Sequence, residues 1–288
     1  MKRVGIVTMH KVVNYGSALQ AWATQEVIRR LGYDVLIIDY VYPNAFHIKD
    51  KKRNIARSVL QWCLHFCQGF PWEKKRKHFE KFWNDNFNLT QTYPCVESIY
   101  NNPPDFDVYV AGSDQIWNPL FPNGKDPSYY IDFALSQTKR VSYAASFSVE
   151  YISDADKEFV KGMLAKMNRI SVREYQGVDI LKSLDIKNGV KVLDPVFLLD
   201  RNYWETFMHK GSEKDYILIY DFEGSDLMKR VALYFKRKKG WKIYSINDAL
   251  PRLYADKNFT KVGPQDFLSL IYNCSCLLYT SDAADDRI

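Results

Sequence analysis

The sequence predicts an α/β protein with mostly parallel sheets and helices on both sheet faces. Three observations lead there. Short Val- and Ile-rich runs alternate with helical patterns along most of the chain. The first unit, RVGIVTMHKVVNYGSALQAWATQEVIRRLG, passes from strand through loop into helix. After a polar stretch at residues 200–212 the alternation begins again, which with a length of 288 residues indicates two domains.

The elements follow in order. Residues 3–9 form an apolar run and read as a buried strand. A helix over residues 15–31 places Ala18, Leu19, Trp22, Ala23, Val27, Ile28 and Leu31 on one face, and Gly32 stands where a helix end takes positive φ. Asn14 can cap this helix, Gly16 lets the backbone approach a ligand, and the free N–H groups of the first turn form an anion site. Residues 35–40 are a second strand. Two apolar stripes come next, Ile55, Val59, Trp62, Cys63 and Phe66, then Trp72, Phe79, Phe82, Trp83 and Phe87, separated by Gln68-Gly69-Phe70-Pro71. They predict a helical hairpin at about 49–88, inserted in the first domain. Strands are expected at 106–111, 140–146, 169–172 and 190–193, with helices at 153–167 and 174–184 among them. The first domain spans 1–205. A second, at 213–275, opens with strands at 216–220 and 242–246 and helices at 226–238 and 264–272.

Charge and cysteines narrow the class. The window from Lys49 to Lys81 holds ten basic and three acidic residues, so its net of +7 exceeds the +6 of the whole chain. Such a run is either a solvated face or a surface for anionic headgroups, including the pyrophosphate of a lipid-linked glycan. Its aromatics follow helical stripes and do not interleave with the bases, so no nucleic acid is expected. No apolar run approaches the ~20 residues of a membrane span. The N-terminus enters a strand pattern without the apolar stretch of a secretion signal. Five cysteines lack metal-ligand spacing, and Cys63 and Cys67 have nothing to complete a site. A reducing cytoplasm is the expected location, with peripheral contact at the inner membrane face if the basic window binds there.

Three strand-end motifs carry a family resemblance. Asn14, Tyr15, Gly16, Leu19 and Gln20 match N-Y-G-x-x-L-Q. Gly112, Ser113, Asp114, Gln115, Trp117 and Asn118 match G-S-D-Q-x-W-N. Residues 142–147 match S-Y-A-A-S-F-G, with Ser148 in place of its final Gly. Weaker echoes are SVRE at 171–174 with Gly177, and VLDPVFLL at 192–199 before Trp204. In this order and spacing the chain resembles the polysaccharide pyruvyl transferase family, from the N-terminus to about residue 275. The resemblance implies a GT-B-like architecture of two Rossmann-like halves. It implies phosphoenolpyruvate as donor substrate, with no cofactor and no metal. The acceptor is a sugar of a polysaccharide or its lipid-linked precursor, and the product is a pyruvate ketal.

Ligands of open α/β sheets bind beyond the carboxyl ends of the strands. That makes Asn14, Tyr15, Gly16, Ser17, Gly112, Ser113, Gln115, Trp117, Asn118, Ser146 and Arg173 candidate substrate-binding residues. Asp114 is the candidate catalytic carboxylate, a partner for the acceptor hydroxyl, or else a turn cap. Gln115 and Asn118 suit sugar hydroxyls. Trp117 either stacks on a sugar or packs in the core. Arg173 either binds an anion or pairs with Glu174 or a neighbouring helix. Asp194-Pro195 fixes a turn, and His10 alone among the histidines lies near a strand end. The family's expected acid is a His in an S-F-H-G-like motif, which this sequence does not contain. Residues 276–286, CLLYTSDAADD, resemble a translated sequencing adaptor. We therefore expect residues 276–288 to be a non-native tail, the second half to be incomplete, and the chain to lack turnover. Two other readings share these features: a nucleotide-sugar glycosyltransferase of GT-B shape, and a non-catalytic glycan- or phosphate-binding module.

The basic window generates a first prediction. At low salt the protein should co-sediment with vesicles containing anionic lipid and not with neutral vesicles. Equal recovery with both would leave the charge as a solubility feature.

Overall fold

The computed structural model describes residues 1–41, 71–211, 213–221, 224–247 and 251–280, and of Pro71 and Trp72 only the backbone. Contacts divide the chain into two compact units, Met1–Lys49 with Trp83–Asp200 and Asp50–Phe82 with Arg201–Ile288.

The first unit is built on a parallel sheet. β1 (Arg3–Val7) leads into α1 (Tyr15–Arg30), and β2 (Asp34–Tyr40) follows. After α2 (Pro71–Asn86) come β3 (Leu89–Tyr93), a short α3 (Val96–Asn101), β4 (Val108–Ala111) and β5 (Lys139–Ser142). Their order is β3-β2-β1-β4-β5, and every neighbouring pair is parallel. Val4, Ile6 and Val7 of β1 are all buried, as a strand covered on both faces requires. Beyond β5 lie α4 (Asp154–Leu164), β6 (Ser171–Val172), α5 (Tyr175–Ser183) and β7 (Val190–Lys191). β6 and β7 pair in parallel, and bridges Val141↔Arg169 and Ala145↔Val172 join this ladder to the end of β5. The largest buried side chains, Trp117, Tyr130 and Phe147, pack together beyond the ends of the central strands.

The second unit repeats the plan. α6 (Arg201–Phe207) precedes β8 (Tyr216–Tyr220), α7 (Asp226–Lys239), β9 (Lys242–Ile246), β10 (Lys257–Phe259), α8 (Pro264–Asn273) and β11 (Cys276–Tyr279). The sheet order is β10-β9-β8-β11, again all parallel. Ser225 caps α7, and Gly240 ends it at φ 72°. Ile217, Ile219, Ala232 and Ile243 form the core.

Several expectations are corrected here. Residues 276–279, set aside in the sequence reading, form a strand. Cys276–Tyr279 pairs in register with Ile217–Tyr220, and Cys276 and Leu278 pack on the second core. An apolar run beside the open edge of β8 completes a ladder whatever its origin. The second sheet thus has four strands where the sequence reading finds two or three. Residues 281–288 lie outside the described residues, as does the first helix of the expected hairpin. Its second helix is α2, which buries Phe79, Phe82 and Trp83 and leaves Lys74, Arg76, Lys77 and Lys81 in solvent. Lys75 departs from that basic face. It is buried, with its ammonium 5.8 Å from the Phe79 ring centroid. From Pro71 to Phe82 this helix goes with the second unit, where Phe82 meets Phe207 edge-on, and is not an outgrowth of the first. No helix among the described residues is long and apolar enough to cross a membrane.

One close approach tests the first sheet. A Cβ on Gly5 would stand 2.5 Å from Phe106 Cδ2, inside the buried cluster. Gly5→Ala should therefore overpack the core and cost about 1–3 kcal/mol. The readout is a lower urea midpoint with an unchanged m-value.

Candidate functional site

The sheet order places a crevice. From β1 the chain crosses to β2 on one side, while β4 lies on the other. The loops leaving β1 and β4 therefore diverge at their carboxyl ends. Four hydrogen bonds gather the strand-end loops there. Gly112 N donates to Val7 O at 2.8 Å, and Thr8 Oγ1 to Ser113 O at 2.8 Å. Ser146 N donates to Asp114 O at 3.0 Å, and Trp117 N to Ser146 O at 3.2 Å. A Cβ on Gly112 would lie 3.0 Å from Thr8 Cβ, so glycine is what lets the two loops close up. Asn14 caps α1 as expected, its Oδ1 accepting from Ser17 N at 3.1 Å. Asn14 and Gly16 are exposed at the first helical turn, and Ser17 is buried beneath it.

Asp114 lies where these loops meet. Its φ is 89°, a conformation that strains any residue with a Cβ. Oδ1 accepts from Gln115 N at 2.8 Å. Oδ2 is out of solvent and makes no hydrogen bond of good geometry among the described residues, although the residue as a whole is half-buried. Desolvation raises its pKa. The Ser17 hydroxyl, the Gln115 N–H and the charge of Arg173 oppose that rise, and Asp194 adds to it. Asp114 is thus a carboxyl group held toward its protonated form in a cleft.

Asp194 organises the other wall. Its Oδ1 accepts from Val196 N at 3.1 Å and fixes the expected turn. Its Oδ2 accepts from Ser113 Oγ at 3.1 Å and from Arg173 Nη1 at 3.0 Å. The partner of Arg173 is therefore Asp194, not Glu174 or a neighbouring helix. Glu174 instead accepts from Phe147 N at 2.9 Å and Ser148 N at 3.5 Å, and so holds the third loop. Ser148 sits at φ 51°, which explains why glycine suits that place. The sequence reading treats Asp194 only as a turn former and gives Glu174 no such task. The signal was a carboxylate oxygen of each that reaches partners 21 to 81 residues away and has no local signature.

The sugar-facing expectations change. Trp117 is fully buried, stacked on Tyr130 at 5.5 Å with Nε1 donating to Tyr129 O. No face of it is left for a sugar, because the aromatic cluster behind the loop captures the ring. Asn118 is buried too. It donates to Gln115 Oε1 at 3.0 Å and accepts from Leu120 N at 3.0 Å, so both amides brace their own loop. Tyr15 is buried, and Ser113 and Ser146 present little surface. Of the polar candidates, Asn14, Gln115 and Arg173 remain partly or fully exposed.

His10 is a structural residue. Its ring is buried, with Nδ1 3.1 Å from Thr8 O and Nε2 3.0 Å from Asp39 Oδ1. Asp39 Oδ2 accepts from Lys11 Nζ at 2.7 Å and Thr92 Oγ1 at 2.6 Å. Burial works against the charge of Asp39. The bonds from His10, Lys11 and Thr92 outweigh it and hold this carboxyl well below the usual carboxylate range.

Comparison with known proteins adds a family. Residues 14–278 match the family described as polysaccharide pyruvyl transferase. No curated protein matches the chain. Among solved structures, UDP-N-acetylglucosamine 2-epimerase from Rickettsia bellii aligns over 99% of this chain and 76% of its own, at 9% identity and a TM-score of 0.46.

Asp114 yields a prediction about stability. Its folded pKa is raised, so any stability it contributes is complete below the unfolded pKa and is lost as pH rises through the folded value. At pH 7 Asp114→Asn should therefore raise the urea midpoint, helped by the tolerance of Asn for positive φ. The gain should vanish below about pH 4, where both states are protonated. A variant less stable than the parent at pH 7 would contradict this account.

Proposed function

This chain belongs to the polysaccharide pyruvyl transferase family, and from that premise we propose that it moves the pyruvyl group of phosphoenolpyruvate onto sugar hydroxyls, forming a ketal. The acceptor is a sugar of a polysaccharide or of its lipid-linked precursor. Bookkeeping of atoms defines what the site must do. A proton adds to the methylene carbon of the donor, and a sugar hydroxyl oxygen bonds to the adjacent carbon and gives up its proton. Phosphate then leaves with its bonding electron pair. A second hydroxyl of the sugar closes the ketal on the same carbon, and its proton departs with phosphate or to a base.

The observation that carries this reading is the buried, unpartnered Oδ2 of Asp114 at the switch point. A carboxyl whose pKa is raised by desolvation is a stronger base than an ordinary carboxylate and can accept a hydroxyl proton. The remaining parts support it. The N-terminus of α1 beside Asn14 and Gly16 favours an anion such as a donor carboxylate or phosphate. Arg173, one third exposed, places a guanidinium near Asp114, with Asp194 fixing its direction. Gln115 offers an amide at the same mouth. The proton given to the methylene carbon has no donor assigned among these residues.

The test is phosphate release from phosphoenolpyruvate in the presence of glycan acceptor. Turnover by the parent would set aside the expectation that this chain lacks it, and against that turnover Asp114→Asn should be about 100- to 10,000-fold lower while the protein stays folded. Unchanged turnover would remove Asp114 from the chemistry. Release of nucleotide from a nucleotide sugar, with no phosphate released from phosphoenolpyruvate, would replace this reading with glycosyl transfer.

A further inference from the structure

Burial of Trp117 leaves a glycan acceptor without the aromatic surface the sequence offers it. Two other rings stand in solvent at this edge of the first unit. Tyr175, the first residue of α5, is 70% exposed, and Phe197, in the turn that Asp194 caps, is 71% exposed. Each lies close in sequence to one member of an ion pair: Tyr175 follows Arg173 by two residues, Phe197 follows Asp194 by three, and Arg173 Nη1 is 3.0 Å from Asp194 Oδ2. The pairing of Val172 with Lys191 brings the Lys191 ammonium within 4.8 Å of the Tyr175 ring centroid. A cation at that distance is attracted to the π-face of the ring.

We propose that Tyr175 and Phe197 form a sugar-binding subsite for the glycan acceptor, with Arg173 and Asp194 supplying the polar contacts between them. A pyranose ring has apolar C–H faces and a rim of hydroxyls. Its faces gain by covering exposed aromatic area, and its hydroxyls need donors and acceptors beside that area. The ion pair supplies both, as guanidinium N–H and carboxylate oxygen, and carries no net charge that would demand an ionic ligand. Ser113 Oγ, bonded to the same Asp194 oxygen, ties the subsite to the Asp114 loop. A ring seated there has its hydroxyls beside the candidate base. The inference rests on the glycan half of the functional reading and not on the donor.

Affinity electrophoresis tests it without turnover. The protein is run through gels containing dextran, galactan, mannan or xanthan, and phosphate release from phosphoenolpyruvate is measured separately. At least one polysaccharide should retard the parent protein. Tyr175→Ala and Phe197→Ala should each weaken that retardation about ten-fold, with unfolding midpoints unchanged. Tyr175→Phe and Phe197→Tyr should keep it, because the ring face is what binds. The KM for phosphoenolpyruvate should not move in the alanine variants. Alanine variants that bind like the parent, a Tyr175→Phe variant as weak as Tyr175→Ala, or no retardation in any gel would each overturn the subsite. Retardation by a protein that releases no phosphate would keep the subsite and remove the donor.

Discussion

The pairing of β1 with β2 on one side and β4 on the other governs the rest of the first unit. Parallel strands need crossover connections, and a central strand flanked by crossovers in opposite directions leaves a gap at its carboxyl end. The N-terminus of α1, the Gly112–Gln115 turn and the loop ending at Ser148 all open into that gap. Gly5 and Gly112 serve this one constraint. The first admits Phe106 against β1, and the second lets the β4 loop close on Thr8. A wider residue at Gly112 would push the β4 loop away from Thr8, and one at Gly5 would crowd Phe106.

Two carboxylates at this edge receive opposite treatment. Asp39 is buried among His10, Lys11 and Thr92, and the donors around it outweigh its desolvation. It is a charge the fold has satisfied. Asp114 is buried with one oxygen unmet and its backbone at positive φ. Both features cost stability, which the bonds from Ser146 N to Asp114 O and from Gln115 N to Oδ1 offset in part. A strained, desolvated acid in a crevice is what a proton-transfer site requires and what a turn cap does not. The difference between the two carboxyls follows from the number of donors each one meets, since both sit near the ends of the two strands that flank β1.

The far wall shows the same economy of contacts. One oxygen of Asp194 caps its own turn while the other gathers Ser113 and Arg173, and Glu174 ties down the backbone of Phe147 and Ser148. Gly177 keeps room for this carboxylate, since a Cβ there would lie 3.3 Å from Glu174 Oε1. The SVRE and VLDP segments therefore act as a frame for the Asp114 loop, with Tyr175 and Phe197 standing outward from it.

Much of this was legible in the sequence because it depends on near neighbours. The cap of Asn14 on α1, the left-handed Gly32, the alternation of strand and helix, and the meeting of strand ends at one edge all follow from local pattern and from the rules of parallel sheets. The family could be named from three motifs for the same reason. What a side chain touches across the fold was not legible. Trp117 reads equally as platform or core until Tyr130 and Phe147 close over it. Lys75 looks like its exposed neighbours until it settles over Phe79. Cys276–Tyr279, set aside as a foreign tail, takes a place in the ladder because β8 offers an open edge. The sequence alone determined the elements, their alternation and the position of the crevice, through local propensity and periodicity. Only the tertiary structure decided which polar groups are satisfied, which ring faces stay open and which carboxyl is left short of donors, because those depend on residues brought together from distant parts of the chain.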